Sequence, residues 1–90
     1  MELKDTVKMM NSDDYKERFR AEYYQIKIRY EKLKKFNTKI EAANTMKYEG
    51  TDFEMPKHDC PGYLLKEQQT VMGQYLHILE VRAVIMGIEL

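Results

Sequence analysis

Apolar positions along this chain fall into two helical patterns separated by one break. In the first, Tyr15, Phe19, Tyr23, Ile26, Tyr30, Leu33 and Ile40 recur at steps of three and four residues or their sums, with no Gly or Pro between them. That spacing predicts a helix over residues 13–44. In the second, Leu64, Val71, Ile78 and Ile85 form one heptad row, and Leu65, Met72, Leu79 and Met86 form the row beside it. This predicts a helix over residues 61–87. Residues seven apart lie almost above one another on a helix, so two adjacent rows make an apolar face wider than a two-helix seam needs. In so short a chain the obvious places for the surplus are a second helix of the same chain and another copy. The expectation is an all-α protein: an antiparallel two-helix hairpin with a short N-terminal helix, assembling as a homo-oligomeric helical bundle. The interface expected between copies is Leu65, Met72, Tyr75, Leu79 and Met86.

Local signals set the boundaries. Leu3, Val7 and Met10 share one side of a short helix over residues 1–11. Asn11-Ser12-Asp13-Asp14 then supplies capping oxygens and acids for the start of the long helix. Between residues 45 and 60 the periodicity fails. There Gly50, Pro56 and polar residues separate Tyr48, Phe53 and Met55, a connection with apolar anchors that is longer than most helix-helix loops. Pro61 suits a first helical position, since its missing N–H would have no partner there, which makes Asp59 or Cys60 the expected cap. Gly73 inside the last helix costs about 1 kcal/mol relative to Ala, and close helix-helix approach is the usual compensation.

Composition narrows the class. At 90 residues one domain is expected, and its burial alone gives little stability. Cys60 is the only cysteine, so no intrachain disulfide can add to it, and self-association is the remaining source. The lone thiol, seven methionines and a polar start suit a reduced cytosol without a secretory leader. Glu80 and Arg82 interrupt the most apolar stretch, which is too short to span a bilayer. Fifteen basic and fifteen acidic residues balance overall, yet residues 15–39 hold nine Lys or Arg and three acids. A zero net charge argues against binding long nucleic acids, whose phosphates reward a uniformly basic face.

Candidate chemistry concentrates on the long helix. At about 100° per residue, Lys16, Arg20, Lys27 and Lys34 run along one flank of the Tyr stripe, with Tyr24 and Glu31 just beyond. Cations beside aromatic rings hold phosphates by charge while bases stack on the rings. The ligand-binding set expected is Arg20, Tyr23, Tyr24, Lys27 and Arg82. The plainer reading is a solvated basic flank beside a packing stripe. Gln68, Tyr75 and Arg82 form a third row on the last helix, where polar residues commonly fix register. Arg82, flanked by apolar residues, requires a carboxylate such as Glu80 or a partner's Glu22, or an external phosphate. His58-Asp59-Cys60 lacks the three or four ligands of a zinc site, so neither metal nor cofactor is expected. No phosphate loop, nucleophile elbow or HExxH run is present, and catalysis is not expected.

The run Ala21-Glu22-Tyr23-Tyr24-Gln25-Ile26-Lys27-Ile28-Arg29-Tyr30-Glu31-Lys32-Leu33-Lys34 carries a resemblance, together with Cys60-Pro61, Leu64-Leu65-Lys66-Glu67-Gln68 and Met72-Gly73-Gln74-Tyr75-Leu76 with Ile78-Leu79-Glu80-Val81-Arg82-Ala83. It resembles a family of small bacteriophage and prophage proteins related to a protein of a crAss-like gut phage. The resemblance implies a phage origin, expression in the cytoplasm of an infected bacterial host, and no catalytic residues. The expected function is anti-defence: sequestration of a nucleotide immune signal, of the cyclic dinucleotide or cyclic ADP-ribose type, without hydrolysis. The alternative is a protein-binding inhibitor or adaptor that lays the surplus apolar face on a host protein.

Overall fold

The computed structural model describes residues 1–47, 49 and 53–90 of the chain, and their regular structure is helical with no strand among them. A 3-10 turn, Leu3–Thr6, continues into α1, Val7–Met10; α2 spans Tyr15–Met46 and α3 spans Gly62–Met86. The long α2 is the central element. The N-terminal segment packs along it on one side, and α3 returns along it on another. None of the helices among the described residues is long and apolar enough to cross a membrane.

Each boundary has a local cause. The Asp14 carboxylate accepts from the Lys16 N–H at 2.9 Å, and the Ser12 hydroxyl accepts from the Asp14 N–H at 3.0 Å, so first-turn donors of α2 are satisfied by side chains. Pro61 caps α3 rather than opening it: its backbone is extended, with ψ 142, and its carbonyl accepts from Leu64 and Leu65. The expected cap at Asp59 or Cys60 is therefore displaced by one or two residues. At the other end Gly87 adopts φ 67, Gly87 donates to Val84 and Ile88 donates to the Ala83 carbonyl at 2.9 Å. This paired closure returns the chain onto its own helix and buries Ile88. Tyr48 and Gly50, read from sequence as an anchor and a break in the connection, lie outside the described residues.

The main core joins α2 to the C-terminal half of α3: Phe19, Tyr23, Leu76, Leu79, Ala83 and Ile88 are buried together, with Tyr24, Ile26, Tyr30 and Met86 packed against them. Gly73 lies where the helices approach closely, since a Cβ built there would stand 3.3 Å from Cε1 of Tyr30. The N-terminal segment is held by Thr6, which is fully buried. Its hydroxyl donates to the Leu3 carbonyl at 2.7 Å and accepts from the Gln25 amide at 3.0 Å.

The two heptad rows of α3 have different fates. Leu79 is 0% exposed and Met86 packs against the core, so these two residues of the row expected between copies meet α2 of the same chain, while Leu65 and Met72 are half-buried. Leu64, Val71, Ile78 and Ile85 remain exposed, Ile85 by 77%, and Val81 and Val84 widen the strip. The fold is elongated, with extents of 55 × 25 × 19 Å.

Candidate functional site

The stripe and flank of α2 meet around Tyr23. Its hydroxyl donates to a Glu80 carboxylate oxygen at 2.7 Å, and its ring meets that of Tyr24 edge-on, with centroids 5.3 Å apart. The Lys27 ammonium stands 5.7 Å from the Tyr23 ring centre. Burial, and then the bond to Glu80, push the Tyr23 hydroxyl pKa up to about 12, so it stays a neutral donor across the physiological range. Tyr23 thus organises the site from below. Its hydroxyl is already committed, which leaves Tyr24 and Lys27 as the outward-facing pair.

Lys27 borders two clefts. One, of about 220 Å³, is also lined by Tyr23, Tyr30, Glu31, Gly73, Leu76 and Glu80. The other, of about 380 Å³, lies beside the N-terminus and is lined by Met1, Tyr24, Lys27, Ile28, Glu31 and Lys32. Their signs differ: two acids face one lysine in the first, two lysines face one acid in the second. An anion is favoured in the second. Among the described residues the only ion pair is Lys4 with Glu2, at 3.3 Å, so Lys27 and Lys32 carry no carboxylate partner there.

The two arginines of the expected set are placed elsewhere. Arg20 Nε donates to the Glu89 carbonyl at 2.7 Å and pins the C-terminal tail. The Arg82 guanidinium lies 5.1 Å from the Phe19 ring centre. Residues two apart on a helix point about 200° apart. Arg82 therefore occupies the flank of the seam opposite Glu80 and Lys27, beside Tyr75, whose hydroxyl donates to Glu22 of the same chain. That bond raises the Tyr75 pKa, helped by burial, while Arg82 lowers it. Within one chain, then, Tyr23, Tyr24 and Lys27 converge and Arg82 does not.

Ile28 and Lys32 complete the second cleft and were absent from the expected set. The available signal was the row Tyr24, Ile28, Lys32 at four-residue steps, which the stronger Tyr23/Tyr30 stripe hid. His58 places Nδ1 against the Cys60 carbonyl and its ring edge-on to Phe36. No cluster of three or more metal-ligating side chains occurs among the described residues.

A family model described as Sequestin matches residues 13–85, which include all of α2 and nearly all of α3. That description is consistent with a sequestering role and suggests a binding protein rather than a catalyst. No curated protein and no solved structure matches the chain.

Proposed function

This chain belongs to the Sequestin family, and from that membership and the geometry of α2 we propose that it is a phage anti-defence protein that captures a nucleotide immune signal without hydrolysing it. The ligand class is a cyclic dinucleotide or a cyclic ADP-ribose isomer. The observation that carries the reading is the second cleft, which Tyr24, Lys27 and Lys32 line together and where neither ammonium has a carboxylate partner among the described residues. Phosphate is held there by charge and a base by stacking on the Tyr24 ring. Stoichiometric capture needs affinity without turnover, and nothing in the cleft resembles a nucleophile with its base.

Assembly belongs to the same reading. A compact chain of 10.8 kDa is expected to expose about 5,500 Å². This one exposes 6953 Å², and the excess exceeds the roughly 800 Å² that one partner buries in a standard interface. Copies pair through Leu64, Val71, Ile78 and Ile85, with Tyr75 at the edge of the strip, and the pairing brings a neighbour's Arg82 toward the ligand site of the first chain. The location is the host cytoplasm.

Calorimetry with a panel of cyclic dinucleotides and cyclic ADP-ribose isomers tests capture, with chromatography of the recovered ligand. Saturable heat with unchanged ligand is the expected result; absent heat at micromolar protein, or a hydrolysed product, removes the reading. The exposed strip of α3 favours a second reading, a protein-binding inhibitor or adaptor acting on a host protein. Retention of one host protein at a fixed ratio, with nucleotides ignored, would select it.

A further inference from the structure

The seam between α2 and α3 changes character toward the loop end. Past the close approach at Gly73, Asn37 takes the place of an apolar contact. Its amide nitrogen donates to the Leu65 carbonyl at 3.1 Å and to the Gln69 side-chain oxygen at 2.9 Å, while its own oxygen is buried without a hydrogen-bond donor. Beside it opens a cleft of about 510 Å³, larger than either cleft at Lys27. A volume of this order lies within the range of small-molecule sites.

The lining is polar but built on an apolar floor. Ile40 is buried beneath it, and Lys34, Asn44, Lys66 and Gln69 contribute charged and amide groups. The Thr38 and Thr45 hydroxyls each donate to a carbonyl four residues back, which leaves their oxygens as acceptors. Gly62 and Tyr63 also line it, and their backbone N–H groups precede any intrahelical acceptor because they open α3. Two ammonium groups, a helix start and one carboxylate, Glu41, leave an excess of positive charge. The Tyr63 ring is 75% exposed at the rim, with an aromatic face and no packing duty.

We infer that this loop-end cleft is a second ligand site, for a nucleoside monophosphate: phosphate between Lys34, Lys66 and the start of α3, base on the Tyr63 ring, and base edge on the Asn44 and Gln69 amides. It is separate from the Tyr24/Lys27/Lys32 cleft and does not depend on the capture reading. Lys34 lies two helical turns from Lys27, so one chain can hold a ligand at each end.

The test titrates the full chain with AMP, adenosine, ribose 5-phosphate and inorganic phosphate, following amide shifts by NMR. AMP is expected to shift Gly62, Tyr63 and Asn44, and to bind at least about tenfold more tightly than any of its parts, since phosphate and base contacts act together. Combined Lys34→Ala and Lys66→Ala, both at exposed positions, is expected to weaken AMP about tenfold or more, as is Tyr63→Ala, while Lys27→Ala leaves it unchanged. Loss of AMP binding in Lys27→Ala, equal affinity for ribose 5-phosphate, or no shift at millimolar AMP overturns the inference. Binding of cyclic nucleotides is expected to survive in the Lys34/Lys66 variant, which separates failure at this site from failure of the capture reading.

Discussion

Tyr23 shows how one side chain couples packing to titration. A hydroxyl whose pKa is about 12 in the fold and about 10 in the unfolded chain holds its proton more tightly when folded. Its contribution is fully present below pH about 10 and is lost as pH rises to about 12. The urea midpoint of the protein is expected to fall across that window, and to fall less in Tyr23→Phe. At neutral pH the same substitution removes the bond to Glu80, which is exposed and can rehydrate, so the loss is expected near the low end of about 0.5–1.5 kcal/mol. Gly73 poses a steric question instead. An added methyl meets Tyr30 at 3.3 Å, tight enough to oppose the gain in helix propensity. Gly73→Ala is expected to be near neutral because the Tyr30 ring borders an open cleft and can yield. Gly73→Leu cannot be accommodated in that way and is expected to destabilise by about 1–3 kcal/mol in urea unfolding.

At the scale of elements, the ends of α2 and α3 are held differently and should fail differently. Asp14→Ala removes the oxygen that accepts from Lys16, and a loss of about 1 kcal/mol is expected from thermal unfolding, with Asp14→Ser largely restoring it. Gly87→Ala places a side chain at φ 67 and works against the return of Ile88 into the core; about 1–2 kcal/mol is expected, seen as faster amide exchange through Ala83–Ile88. The long helix was legible because its apolar steps are unbroken and its cap lies in the sequence beside it. The burial of Ile88 was not, since a residue beyond a helix end follows no period, and only the left-handed turn at Gly87 carries it back.

On the scale of the whole molecule, the shape is a rod whose greasy side is only half covered. If copies join through the exposed strip of α3, Ile78→Lys with Ile85→Lys is expected to reduce the mass measured by light scattering to that of one chain. The circular dichroism of the helices should be retained, because both positions are exposed and neither belongs to the core of one chain. An unchanged mass would place the interface elsewhere, and a monomeric wild type at high concentration would remove it. The ligand set was partly legible for a related reason. Tyr23, Tyr24 and Lys27 share one helix, where spacing alone makes them neighbours, whereas Arg82 belongs to another helix and its flank depends on how α3 is rotated.

The sequence by itself determined the helices, the place of their close approach and the excess of apolar width, because each follows from helical spacing or from one residue's backbone and size. Only tertiary structure decided which heptad row turned inward. Both rows are apolar, and the choice was made by the rotation that sets Gly73 under Tyr30, Leu79 into the core and Glu80 against Tyr23. That same rotation carried Arg82 away from Lys27 and opened the polar cleft at the loop end, where no periodic signal foretold it.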